Sequence, residues 1–87
     1  MQAHLLRNIL DVHVIAKPFG IKIQTRDTAS VVEIDPQSPA AMTEIRTGYQ
    51  MVAINGTKVA ADTCYDIYQN TKVPFVVRFR CNIGLTH

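Results

Sequence analysis

Hydrophobic and polar residues alternate in three short stretches of the first part of the chain, which is the pattern of half-buried β-strands. The first stretch covers residues 12–16 and ends before Pro18, and the second covers residues 21–25. The third, Ser30–Ile34, ends at a segment that contains two prolines. Proline cannot donate a hydrogen bond to a strand ladder, so each stretch has a clear end. We therefore predict three short strands.

A short helix is predicted after the third strand. Ser38 is a favoured residue at a helix N-cap, and Pro39 is favoured at the first helical position. Ala40 and Ala41 follow and have high helix propensity. This helix should end before Gly48.

The following residues predict a tight turn between two strands and then a second helix. The apolar run 51–54 is typical of a buried strand. The Asn55-Gly56 pair is the strongest hairpin signal in the chain and should return residues 58–59 as a short partner strand. A second helix should begin after Thr63 and end at about residue 71.

Residues 75–79 are rich in Val and Phe and predict a final strand. This order of elements predicts an α+β domain, a small partly open β-barrel or sandwich of five to six strands capped by two helices. We divide the chain into an N-terminal arm at residues 1–8, a domain at residues 9–80 and a C-terminal tail at residues 81–87.

Composition supports one folded domain. The 87 residues are 47% hydrophobic and 18% charged, which argues against intrinsic disorder. A chain of this length has room for one modest core and excludes an enzyme with its own cofactor domain. The net charge of +2 is spread along the chain, so we do not expect nucleic acid as a partner.

The remaining chemistry is sparse. Cys64 and Cys81 do not form a disulfide framework, and neither has metal-ligand spacing to another Cys or a His, so no metal or cofactor is expected. No stretch has the length of a membrane span, and the N-terminus lacks the pattern of a signal peptide. We therefore expect a cytoplasmic protein that does not bind membrane lipid.

Four motifs in order resemble the PDZ domain family, over about residues 9–80. The strand before the first motif is N-terminal, which resembles the eukaryotic strand order. The motifs are Phe19-Gly20-Ile21, Ser38-Pro39-Ala40-Ala41, the segment from Gly48 to Gly56, and the late amphipathic helix.

The resemblance implies a non-catalytic protein-interaction module. A partner's C-terminus, or an internal strand, would add as an antiparallel strand between the second strand and the last helix. The backbone amides of Phe19, Gly20 and Ile21 would bind the terminal carboxylate, because a tight glycine-containing loop forms an anion-binding nest. The groove residues implied by the resemblance are Ile23, Cys64, Tyr68 and Thr71.

The groove departs from the usual family pattern on its helical side. Cys64 stands where many members have a histidine that binds a Ser or Thr of the ligand, and Thr71 stands where an aliphatic residue is usual. Tyr68 is larger than the usual residue, and a shift of one position would bring Ile67 into the groove instead. The alternative function is therefore a structural or assembly module whose groove is occluded by Tyr68 and which acts through self-association, with a second copy of the chain as partner.

Overall fold

The structure is a computed structural model that describes residues 8–81 of the chain. Within them it contains six β-strands, one α-helix and one short 3-10 helix. The strands are β1 (Ile9–Val14), β2 (Ile21–Gln24), β3 (Ser30–Ile34), β4 (Gln50–Ile54), β5 (Thr57–Lys58) and β6 (Phe75–Arg80), the α-helix is α1 (Cys64–Asn70), and the 3-10 helix is Pro39–Met42.

The strands form one antiparallel sheet in the order β1-β6-β4-β3-β2, and β5 pairs with β4. Among the described residues, β1 pairs only with β6 and β2 pairs only with β3, so these two strands are the edges of the sheet. The predicted small α+β fold of five to six strands is confirmed.

The prediction of two helices is wrong, since the first is a single 3-10 turn at Pro39–Met42. Ser38 does not cap this turn, because its hydroxyl donates instead to the carbonyl of Asp35 at 2.7 Å. The Thr43 hydroxyl donates to the Ala40 carbonyl at 2.6 Å, and Thr43 itself is extended. The helix ends at this extended residue, and Ile45 follows with its side chain buried.

The core lies on one face of the sheet. In β6, alternate residues Phe75, Val77 and Phe79 are buried, as the two-residue period of a strand requires. In β1 the same period buries Val12 and Val14. Phe79 is 0% exposed and is the largest of the side chains that are less than 2% exposed.

The Asn55-Gly56 turn joins β4 to β5, as predicted. Both residues have positive φ, 51° and 82°, which a two-residue hairpin turn of this kind requires. Asn55 also connects the turn to β6, because its N–H donates to the Val76 carbonyl at 2.8 Å and its side-chain oxygen accepts from the Val76 N–H at 3.0 Å. The turn is therefore part of the sheet.

The two ends of the described chain meet beside β1 and β6. The N–H of Cys81 donates to the carbonyl of Asn8 at 2.7 Å, and Cys81 is buried. The rest of the predicted arm and tail, residues 1–7 and 82–87, lies outside the described residues. Within residues 8–81, α1 is far shorter than a membrane span and no other helix reaches that length.

Candidate functional site

A narrow apolar groove lies between β2 and α1. Ile21 and Ile23 point into it from β2, and both are only half-buried. Tyr65 and Tyr68 face them from α1. The groove encloses about 240 Å³ of empty space, including space open to solvent. Its lining residues are Ile21, Ile23, Met51, Cys64, Tyr65 and Tyr68.

The loop at residues 17–20, which we call the β1–β2 loop, directs backbone N–H groups toward this groove. The carbonyl of Phe19 accepts from the Ala40 N–H at 3.1 Å, and that of Gly20 accepts from the Asp35 N–H at 2.9 Å. The peptide bonds Phe19-Gly20 and Gly20-Ile21 are both trans. In a trans peptide the N–H points in the direction opposite to the carbonyl of the preceding residue. The N–H groups of Gly20 and Ile21 therefore point away from β3 and the 3-10 helix, toward the side of β2 on which α1 lies.

Only glycine fits at position 20. Its φ is +102°, which side chains rarely allow, and a Cβ there would overlap the side chain of Ser38. Ser38 is in turn held by its hydrogen bond to the Asp35 carbonyl at 2.7 Å. Close packing against Ser38 thus fixes the backbone of the loop.

A second, wider cavity lies where the β1–β2 loop meets the C-terminal end of α1. It encloses about 870 Å³, again including open solvent, and it has more polar surroundings than the groove. It joins the groove at the three residues that line both, Ile21, Tyr65 and Tyr68. The lining residues are Lys17, Pro18, Phe19, Gly20, Ile21, Tyr65, Tyr68 and Gln69.

Lys17 brings a positive charge to this end of the groove. Its ammonium donates to the carbonyls of Tyr68 at 2.7 Å, Gln69 at 3.2 Å and Thr71 at 2.8 Å, which are left unpaired where α1 ends. A cation is favourable there because the C-terminal end of a helix carries partial negative charge. The ammonium also lies 5.0 Å from the ring centroid of Tyr68 and 5.4 Å from that of Phe75.

Tyr68 crosses from α1 to the β1–β2 loop. Its ring packs edge-on against Phe75, with centroids 5.6 Å apart and an interplanar angle of 79°. Burial raises the pKa of the Tyr68 phenol, and the nearby backbone N–H of Phe19 partly opposes this rise. The phenol is therefore neutral at physiological pH.

The solved structures include a close match to this architecture. The second PDZ domain of Dlg1 from the choanoflagellate Monosiga brevicollis superposes with a TM-score of 0.70, over 85% of this chain and 93% of that chain. The chain has the PDZ fold. The two sequences are 16% identical, so the likeness concerns the fold. No protein-family model and no curated protein sequence matches the chain.

Most of the residues predicted for the site meet at this groove of the PDZ fold. Phe19, Gly20 and Ile21 form its loop end, and Ile23, Cys64 and Tyr68 line its sides. Thr71 lies beyond the end of α1, where its hydroxyl donates to the Ile67 carbonyl at 2.6 Å. Ile67, the residue of the alternative register, does not line the groove or the wider cavity, whereas Tyr68 lines both.

Cys64 has a structural position in the groove floor. It is 1% exposed, and its thiol donates to the Ala61 carbonyl at 3.6 Å. Burial raises the pKa of this thiol, which keeps it protonated. A buried, protonated thiol is a poor nucleophile, and it offers a ligand neither the charge nor the donor geometry of a histidine.

Three residues of the site were not predicted from the sequence. Tyr65 and Met51 line the groove, and Lys17 lies at its loop end. Tyr65 is one residue after Cys64, and a helix this short has too few residues to define its facing side by periodicity. The only signal for Lys17 was its position two residues before the Phe19-Gly20-Ile21 motif.

Two positively charged side chains on the sheet, Arg78 and Lys22, have acidic neighbours. Arg78 donates to Asp11 at 2.9 Å and 3.1 Å, and this hydrogen bond lowers the pKa of the Asp11 carboxyl. The Lys22 ammonium lies 3.7 Å from a carboxylate oxygen of Glu33. Within residues 8–81, no group of three or more His, Cys, Asp or Glu side chains could hold a metal ion.

Proposed function

We propose that this domain is a non-catalytic interaction module that binds an extended segment of a partner protein by strand addition at β2. The observation that carries the proposal is that β2 has a free edge and incompletely buried apolar side chains. Within the described residues it lacks a second neighbour strand, and its two apolar side chains, Ile21 and Ile23, are half-buried beside α1. A strand added here would gain backbone hydrogen bonds and would cover both side chains.

The loop end of the groove suits a partner's C-terminus. The N–H groups of Gly20 and Ile21 point to that side of β2, and converging backbone N–H groups are good ligands for a carboxylate. The ammonium of Lys17 adds positive charge nearby. An internal strand would use the β2 edge without this anion site. An interface formed by one added strand is small, which implies reversible binding with a Kd near micromolar, equivalent to a binding free energy of about −8 kcal/mol.

The groove offers little for catalysis. Its lining is apolar, and its one thiol, Cys64, is buried and protonated. We therefore propose that the domain acts by binding alone. A cytoplasmic location remains a prediction from the sequence.

The proposal is tested by screening fluorescent peptides with free C-termini against the purified chain, with amidated copies as controls. Binding sites are then mapped by amide chemical shifts of the ¹⁵N-labelled chain. We expect the largest shifts in β2, α1 and the β1–β2 loop. Shifts confined to β1, or a library in which no peptide binds, would contradict the proposal.

The second candidate is an assembly module that acts by self-association. One observation favours it, since the Tyr68 ring lines both the groove and the wider cavity at its loop end. Light scattering separates self-association from binding by a monomer. It is measured on the whole chain and on a chain without residues 1–7, which precede the described domain. A monomer in both cases at high concentration rejects self-association.

A further inference from the structure

The backbone of β1 has a free edge on the side away from β6. The N–H of Cys81 donates to the Asn8 carbonyl at 2.7 Å, so these two residues are a hydrogen-bonded pair of the ladder between β1 and β6. Hydrogen-bonded pairs alternate along an antiparallel ladder. The even-numbered residues of β1 therefore bond to β6, and Ile9, Asp11 and His13 direct their N–H and carbonyl groups to the free edge. Within residues 8–81, no other strand pairs with β1 there.

The side chains of the same residues lie on the outer face of the sheet. Successive side chains of a strand alternate between its faces, and Ile9, Asp11 and His13 are the exposed residues of β1. Ile9 is 41% exposed, and Ile15, which directly follows the strand, is 70% exposed. This edge thus has an apolar side chain at each end and a carboxylate and an imidazole between them.

The chemistry of the edge is symmetric about Val12. Residues 9–15 have the sequence Ile-Leu-Asp-Val-His-Val-Ile, so the two ends are alike and the two polar residues are complementary. When the edge pairs with a second copy about a two-fold axis at Val12, Asp11 lies opposite His13 of the second copy, and Ile9 lies opposite its Ile15. Each contact then occurs twice, as a two-fold interface requires.

The backbone permits this register and disfavours its neighbours. Residues that direct their N–H and carbonyl groups to the edge must face each other, so the next registers differ by two residues. One of them places Asp11 opposite Asp11 of the second copy, and like charges directly opposite are destabilising. The other places His13 opposite His13 and Asp11 opposite Ile15. A charged residue on an edge strand discourages wrong pairing, and here it selects one register.

Asp11 can accept from a second copy without losing its present partner. Arg78 on β6 donates to the two carboxylate oxygens at 2.9 Å and 3.1 Å. An ionised carboxylate has about four lone-pair sites, so further acceptor positions remain for an imidazole N–H. His13 of a second copy would approach from the free edge, on the side opposite to β6.

We propose that β1 is a self-association edge, at which two copies of this chain pair antiparallel about Val12 to form one continuous sheet. The inference goes beyond peptide binding, because β1 and β2 are the opposite ends of the strand order. It uses neither the β2 edge nor the groove, and it gives self-association a defined surface. One strand pair is a small interface, so the Kd of the dimer should be about 0.1 to 1 mM.

The first part of the test detects the dimer and its surface. Sedimentation equilibrium and amide hydrogen exchange are measured on the whole chain at about 0.02 and 2 mM, concentrations that bracket the expected Kd. The average mass should rise toward that of a dimer. The amides of Asp11 and His13 should exchange at least about 2-fold more slowly at the higher concentration, because exchange follows the unpaired fraction.

Three results of this first part would contradict the proposal. The chain could remain a monomer at the higher concentration. It could form a dimer in which the amides of Asp11 and His13 exchange at an unchanged rate, which would place the interface elsewhere. These amides could also be protected equally at both concentrations, which would show that another part of the same chain covers the edge.

The second part tests the register with two variants. His13→Asp places carboxylates opposite each Asp11, and Asp11→His places imidazoles opposite each His13. Each variant alone should dimerise about 3- to 30-fold more weakly, because two cross-strand pairs are lost. In an equimolar mixture, the carboxylates of one variant face the imidazoles of the other, so association should return. The mixture also controls for folding, since an unfolded variant cannot restore association.

The apolar ends of the edge provide a matched pair of variants. Ile15→Ser removes the contact with Ile9 of the second copy and should weaken the dimer about 2- to 10-fold. Val32→Ser changes an exposed valine on β3, which has a neighbour strand on each side, and should leave the Kd unchanged. A mixture that associates no better than either polar variant alone would overturn the proposal. An equal loss in Ile15→Ser and Val32→Ser would do the same.

Discussion

The two edges of the sheet present different surfaces. In β1 the inward side chains Val12 and Val14 are 5% and 0% exposed, so the apolar face of this edge is already covered. In β2 the inward side chains Ile21 and Ile23 are only half-buried, and an apolar groove lies beside them. Both strands have one neighbour in the described sheet, yet only β2 leaves inward apolar surface for a further strand to cover.

Charge does not distinguish the two edges, because in the described part of the chain each edge strand carries one ion pair to its neighbour strand, which in β2 is Lys22 with Glu33 at 3.7 Å. Asp11 on β1 and Arg78 on β6 form a two-point ion pair on the outer face, with hydrogen bonds of 2.9 Å and 3.1 Å. Charged side chains on an edge strand are one way in which proteins discourage unwanted pairing. The feature that separates β2 from β1 is therefore the apolar groove beside its free edge.

The largest effect is expected where β2 begins. Gly20→Ala combines an unfavourable φ with an overlap against Ser38, so it should lower the free energy of unfolding by about 2 to 5 kcal/mol. Gly48→Ala is the matched control, since Gly48 also has positive φ but an added Cβ would meet nothing within 4 Å. Urea unfolding measures both. Equal losses in the two variants would show that the contact with Ser38 does not fix the loop.

The next effect compares the two edges directly. Ile23→Ser removes apolar surface that a ligand strand would cover, and we expect peptide affinity to fall at least about 10-fold, or about 1.4 kcal/mol. Ile9→Ser changes an exposed isoleucine on β1 and should leave affinity unchanged. Fluorescence polarisation with one peptide measures both variants. A loss of peptide affinity in Ile9→Ser and not in Ile23→Ser would show that the peptide binds at β1 instead of β2.

A smaller effect is expected at the end of α1. Lys17→Met removes the cation that binds three carbonyls there, which should lower stability by about 1 kcal/mol. Lys72→Met is the control, because Lys72 is exposed and lies just past the helix. Thermal unfolding compares them. If Lys72→Met destabilises the chain as much as Lys17→Met, net charge rather than the position of Lys17 explains the effect.

The smallest effect is expected on β1. The hydrogen bond from Arg78 lowers the pKa of Asp11 in the folded chain, so the pair stabilises the fold above about pH 4. That stabilisation is lost as the pH falls through the lowered pKa. Asp11→Asn should therefore lower the melting temperature slightly at pH 7, and the difference from the natural chain should shrink near pH 2. A difference that stays constant with pH would exclude the ion pair as its cause.

The local parts of this fold were predictable from the sequence. The bounds of β3 agree with the prediction, and the Asn55-Gly56 turn lies where its two residue types require it. The first helix was not predictable in the same way, because Ser38 has two hydrogen-bonding choices. The Ser38 hydroxyl bonds to the Asp35 carbonyl, and its side chain lies against Gly20. Its choice of partner therefore depends on how the β1–β2 loop packs against Ser38.

The contacts that close the groove could not be read from local pattern. Lys17 bonds to the carbonyl of Tyr68 across 51 positions of the chain, and to those of Gln69 and Thr71 across 52 and 54 positions. Such contacts depend on the position of α1 relative to the loop. The sequence identified Tyr68 as unusual for a PDZ-like groove, and the contacts of its ring with Phe75 and Lys17 required the structure.

Amide hydrogen exchange with and without a bound peptide tests strand addition at β2 most directly. We expect the N–H of Ile21, which points away from β3, to exchange at least about 10-fold more slowly in the complex. The amides of β1 should exchange at the same rate in both states. Protection along β1, or unchanged exchange at Ile21 in a chain saturated with peptide, would contradict the account.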